Sequence, residues 1–94
     1  ISLEDTGLIP AGKAGRATLE GQTALDGRLP VSPSGGLKAR GHPLAATGIG
    51  YVVELTWELR GEPGPRHVDA RVGLAQSIGG LATNNWILLL EAAR

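Results

Sequence analysis

His42 is the residue in this chain best suited to do chemistry, and its setting is unusual: it stands between Gly41 and Pro43, within the stretch PSGGLKARGHPLAATG. A residue that precedes proline is kept out of the helical region, so its backbone is expected to be extended. Pro43 suits the first position of a helix, where the missing N–H costs nothing. The imidazole is therefore expected at the mouth of a helix, where unpaired N–H groups and the dipole favour negative charge. Imidazolium is disfavoured at such an end. A neutral ring there can donate Nε2–H to a developing oxyanion or accept a proton from a nucleophile. On these residues alone a second reading stays open, in which His42 only caps the helix.

Other chemistries are harder to build. The chain has no cysteine, which excludes disulfides and thiolate zinc sites. The second histidine, His67, is distant in sequence and shares no ligand spacing with His42, so no metal site is expected; His67 reads as a solvated loop residue. Gly36 and Gly41 have the spacing of a phosphate loop, but His42 occupies the lysine position, no Ser or Thr follows, and Pro43 removes an N–H from the cradle. Gly48 and Gly50 are too closely spaced for a dinucleotide fingerprint. Nine basic residues balance nine acidic ones, and no run of like charge occurs, which argues against nucleic-acid or membrane-surface partners. Trp57 and Trp86 read as core residues, and aromatics are too scarce for base stacking. The apolar run Trp86–Leu90 is far short of a membrane span. The opening ISLEDTGLIPAGK has no apolar leader segment. A cytoplasmic protein is expected.

The elements that must hold His42 come next. Length allows one small domain, and a chain of this size buries only about 60–65% of its unfolded surface. Residues 1–28 read as short helical pieces broken by Gly7, Pro10 and Gly21, with Ala14–Glu20 the best of them. Leu29–Ser32 reads as a short extended segment, and Pro33–His42 as a glycine-rich loop. The pattern predicts a helix from Pro43 to about Arg60, stopped by Gly61 and Pro63. At 100° per residue, Thr47, Glu54 and Glu58 share one narrow arc, and apolar side chains cover most of the rest. A helix apolar over most of its circumference is covered on more than one side. Glu54 reads either as a buried acid or as a residue reaching a partner. Strands are expected at about 70–78 and 85–91. The first has small residues (Gly73, Ala75, Ser77) on one face, leaving room for something packed tightly. The second contains WILLL, the pattern of a strand covered on both faces. These elements demand more cover than 94 residues supply, so the missing layers are expected from another chain or from further sequence. The fold class is α/β.

The segment PVSPSGGLKARGHPLAATGIGYVVELTWELRGEPGPRHV resembles the C-terminal domain of the thiolase superfamily, in particular the sterol carrier protein x, or lipid-transfer, type. The family pattern runs N-P-S-G-G, then G-H-P-x-G-A-T-G, a buried helix, and a strand ending in C-x-G-G or H-N-x-G-G. Ser34–Gly36, Gly41–Pro43 and Ala46–Gly48 match directly, and LAQSIGG (Leu74–Gly80) matches the closing strand and loop. The resemblance covers about residues 22–92, and the GHP block is its specific part. It implies a layered fold with a mixed sheet, in which residues 1–94 are the latter part of a C-terminal domain.

The resemblance also implies roles. His42 matches the histidine that helps activate a nucleophilic cysteine and lines an oxyanion hole. Gly79 and Gly80 match the loop whose backbone N–H contributes to a second oxyanion hole. Ser77 stands where many thiolases have their second cysteine, and Gln76 where the lipid-transfer type often has histidine; neither titrates near neutral pH. Ala45 replaces the usual glycine of the GHP block, and Ser32 the usual asparagine. The nucleophile belongs to an N-terminal domain outside this sequence, so the chain alone is expected to be inactive. The implied function is carbon–carbon bond formation or cleavage next to a thioester, with acyl-CoA as substrate, no cofactor, and an oligomeric assembly. Two alternatives stand beside it. One is a thiolase-like retro-aldolase acting on steroid side-chain acyl-CoA, with Tyr51 as acid/base; against it, Tyr51 reads more readily as a packed helix residue with its hydroxyl hydrogen-bonded. The other is a non-catalytic thiolase-like binding subunit.

Overall fold

The computed structural model describes residues 1–93, and the chain divides into two compact units, Ile1–Pro33 and from Ser34 onward.

The first unit holds two short helices, α1 (Ser2–Asp5) and α2 (Ala14–Leu19), in the pieces that Gly7, Pro10 and Gly21 delimit. Helices this short do not stand alone in water. Ile9 and Ala17 are buried in this unit, and Glu4 Oε1 accepts the backbone N–H of Ala14 at 2.9 Å. Leu29–Ser32 forms no strand. Leu29 and Val31 donate their N–H groups back to the carbonyls of Gln22 and Thr23, at 2.9 and 3.1 Å, so the segment is held by the preceding turn. Ser32 takes the left-handed φ of 50°.

The segment Pro33–His42 is not wholly loop, because α3 (Gly36–Arg40) opens the second unit within it. Leu, Lys, Ala and Arg are strong helix formers, and Gly35 supplies the left-handed turn (φ 86°) that leads in. The long helix, α4 (Thr47–Arg60), begins four residues later than the Pro43 pattern predicts. Pro43 serves instead as the acceptor of the entry turn: its carbonyl receives the N–H of Ala46 at 2.8 Å and of Thr47 at 2.9 Å. The C-terminal end is as expected. Gly61 is left-handed, and the N–H groups of Gly61 and Glu62 return to the carbonyls of Glu58 and Trp57, the pairing of a Schellman stop.

The strands are β1 (Val72–Gly79) and β2 (Asn84–Glu91), close to the expected spans. They form an antiparallel hairpin in which Gly73, Ala75 and Ser77 oppose Leu90, Leu88 and Trp86. No mixed sheet occurs among the described residues. The small-residue face does receive tight packing, and α4 supplies it. A Cβ on Gly73 would lie 2.7 Å from Leu55, and one on Gly48 would lie 3.2 Å from Trp86 and 3.5 Å from the Ser77 hydroxyl. Ala75 is buried at this seam.

The other surfaces stay open. Ile49, Val53 and Trp57 form an exposed stripe along α4, and Val72, Ile78, Ile87 and Leu89 are exposed on the far side of the sheet. The second cover that the helix and WILLL patterns call for is not supplied by the described residues. Among these, the buried apolar side chains are Ile9, Ala17 and Ala75. The polar arc of α4 is instead the part that turns inward: Thr47 and Glu58 are buried.

Candidate functional site

His42 is exposed, yet its ring is not free. Its Nδ1 lies 2.7 Å from Thr47 Oγ1, and that hydroxyl also lies 3.0 Å from the Pro43 carbonyl oxygen, to which it donates. The entry turn Pro43–Ala46 makes this contact, because it sets the first residue of α4 back against the residue that precedes the proline. Thr47, only 4% exposed, ties the imidazole to the helix. A capping residue bonds helix N–H groups; His42 bonds a side chain instead, so the capping reading is not the one realised.

Beside Thr47, Gly48 carries the site onto the sheet. Its closeness to the Ser77 hydroxyl and Trp86 brings the helix entrance down on the Ser77 register of β1. Gly79 lies two residues further along that strand, a rise of about 7 Å, and pairs with Asn84. Gly80 opens the hairpin turn with a left-handed φ of 61°, and a Cβ there would approach Thr83 Oγ1 to 2.9 Å. Glycine at position 80 is thus required by the turn itself.

Gln76 is not part of this group. Alternate strand residues face opposite ways, and the Gln76 amide donates to Asn85 Oδ1 at 3.3 Å on the side away from α4. Tyr51, one turn along the helix from Thr47, is half-buried with the Arg40 guanidinium 5.3 Å from its ring centroid, a cation–π distance. Arg40 also fills the space beside Gly50.

Two features escape sequence reasoning. Thr47 is legible only as one polar residue on the arc of α4, and nothing in its spacing marks it as the partner of His42. The other is the cluster around Glu58. Arg66 donates to Glu54 Oε2 at 2.7 Å and lies 3.6 Å from Glu58 Oε1. His67 is not simply solvated, since its Nδ1 lies 3.4 Å from Glu58 Oε2. Two glutamates four apart, followed by Arg-His after a Gly/Pro turn, are the signal that could have revealed it. The cluster fastens the return from α4 toward β1.

No group of three His, Cys, Asp or Glu side chains able to hold a metal occurs among the described residues, and no helix there is long and apolar enough to cross a membrane. A shallow cleft in the first unit, lined by Ile9, Arg16, Ala17 and Arg28 among others, contains none of the residues singled out from the sequence.

Comparison with known proteins places the chain in a family. The chain is 53% identical over 81 residues to the acetyl-CoA acetyltransferase of Methanothermobacter thermautotrophicus, covering 85% of this chain and 21% of that protein. It is 46% identical over 80 residues to sterol carrier protein 2 of Bos taurus, covering 84% and 15% respectively. The acetyl-CoA acetyltransferase of Methanocaldococcus jannaschii aligns along the whole chain at 37% identity, with 26% of that protein covered. The chain therefore spans about a fifth of the length of the first of these relatives. Residues 1–92 match the family described as thiolase C-terminal domain-like, and the chain belongs to that family.

Proposed function

We propose that this chain is the latter part of a thiolase-type acyl-CoA acyltransferase, and that it contributes His42 and the Gly79–Gly80 backbone to the acyl-transfer site. The single observation that carries this reading is the seating of the His42 ring by Thr47, directly beside the Gly48–Ser77 contact. A general base must be oriented by a neighbour and must face the reacting atoms. His42 is exposed, which supports the second by leaving the ring open to a further domain that would carry the reacting atoms.

In this reading a cysteine thiol from the family's N-terminal domain gives its proton to His42, and the thiolate attacks the thioester carbonyl. Oxygen gains negative charge in that step, and N–H donors fixed in place stabilise it. The backbone N–H groups near Gly79 and Gly80 supply part of that field. Ser77 lines the site at the foot of the helix, and Gln76, turned away from α4, takes no part in it. The bare apolar faces of α4 and the hairpin support a cover of further thiolase sequence or a second subunit. A cytoplasmic, oligomeric protein, with an acyl-CoA thioester as substrate and no cofactor, completes the proposal.

The test is His42→Ala in the complete polypeptide, assayed for thiolysis and condensation of short 3-ketoacyl-CoA. The expected loss is about 10²–10³ in kcat, the scale of one lost oxyanion donor. Wild-type turnover would overturn the assignment.

A further inference from the structure

We infer that Thr47 is a positioning residue that fixes the ring proton of His42 on Nδ1 and leaves Nε2 bare to act as base. The role in turnover rests on the thiolase-type reading above; the tautomer itself rests only on hydrogen bonds within this chain.

A threonine hydroxyl has one proton to give and two lone pairs to receive with. The Pro43 carbonyl can only accept, so the 3.0 Å contact from Thr47 Oγ1 uses that proton. What Thr47 then turns toward His42 is a lone pair, and Nδ1, 2.7 Å away, must be the donor. Back-bonding of Thr to the carbonyl four residues earlier is a common local pattern. Here it sets the hydroxyl rotor, and at 4% exposure water has little access to reset it. Tautomers are assigned from such networks, and this one has a single consistent solution when both contacts are hydrogen bonds.

The consequence is an ordered sequence of roles for one nitrogen. Neutral His42 presents a lone pair at Nε2 and takes a proton from the nucleophile. Once it has done so, Nε2–H is a charged donor, available to the oxyanion that forms next. The Thr47 oxygen keeps accepting from Nδ1–H throughout, so the ring need not turn between the two steps. An orienting acceptor behind the base is the arrangement by which a histidine is kept in its working tautomer. It also explains why a polar side chain occupies a buried position at the start of α4.

The experiment is long-range ¹H–¹⁵N correlation on the complete protein labelled at histidine, with His42→Gln used to assign the signals. Neutral His42 is expected to show a protonated Nδ1 and a pyridine-like Nε2. The opposite pattern in the wild type would overturn the inference. Thr47→Val should abolish the bias and lower kcat about tenfold or more, while Thr47→Ser should restore both. Wild-type turnover in a folded Thr47→Val protein would overturn the positioning role. If the tautomer is as stated but His42→Ala remains active, the functional proposal fails and the hydrogen-bond assignment stands.

Discussion

The carboxylate of Glu58 accepts the backbone N–H of Val68 at 2.9 Å, across ten residues of chain. It does so from a position only 5% exposed, on the arc of α4 that the sequence marks as polar. The carboxylate thereby replaces a strand partner for a backbone group just ahead of β1. Its second oxygen, Oε1, has no hydrogen bond and relies on the Arg66 guanidinium 3.6 Å away.

Removing that acceptor leaves a backbone N–H orphaned, which costs about 1–3 kcal/mol. Glu58→Ala is accordingly expected to destabilise the protein by about 2 kcal/mol in urea denaturation, and Glu58→Gln by less, because its amide oxygen still accepts from Val68. Equal midpoints for Glu58→Ala and wild type would show that the bond contributes nothing.

Gly48 is expected to resist improvement. Glycine inside a helix costs about 1 kcal/mol relative to alanine, yet an added Cβ would stand 3.2 Å from Trp86. Gly48→Ala should therefore bring little of the propensity gain, and Gly48→Val should destabilise by about 1–3 kcal/mol through overpacking. The Gly48→Val change should also perturb the fluorescence of Trp86. A stabilised Gly48→Val protein would contradict the close helix–sheet approach.

Ser32 holds a left-handed backbone immediately before Pro33, a region that asparagine visits more readily than other side chains. This gives the asparagine of the family pattern a physical reason. Ser32→Asn is expected to stabilise by about 0.5 kcal/mol, and Ser32→Val to destabilise by about 1–2 kcal/mol. Thermal midpoints of the two variants should fall on opposite sides of the wild type.

Glu4 is expected to make the first unit acid-sensitive. The N–H of Ala14, and after it that of Gly12, hold its carboxyl below the ordinary value of 4.5. A group whose folded pKa is lowered contributes stability above its unfolded pKa and loses it as pH falls through the folded one. Thermal stability should thus decline on acidification below about pH 5, and Glu4→Gln should lower the plateau above that pH and so flatten the acid limb, leaving the two proteins alike at the acid extreme. An identical acid limb in the variant would remove Glu4 as its cause.

Tyr51→Phe separates two chemistries. With the Arg40 guanidinium facing its ring, Tyr51 is expected to act through packing, and phenylalanine retains the ring face. Thiolase-type turnover in the complete protein should then stay within about threefold of wild type, since loss of a general acid–base contributes about 10²–10⁴. A collapse of that size would instead favour the retro-aldolase alternative.

The sequence by itself determined the family and the succession of the long helix and the two strands. The GHP block, the stop at Gly61 and the alternation of small residues in β1 are local patterns, and local patterns follow from backbone sterics and side-chain period. It also marked His42 as the residue to question. Tertiary structure decided what the local rules leave degenerate. Pro43 is equally compatible with a helix start and with an entry turn, and only the carbonyl contacts to Ala46 and Thr47 chose the turn. The polar arc of α4 could face water or chain, and the return of Arg66, His67 and Val68 turned it inward. The partner of the imidazole was invisible in the sequence for the same reason. A hydrogen bond between residues 42 and 47 depends on how far the backbone winds between them, and that winding is set by packing rather than by either residue.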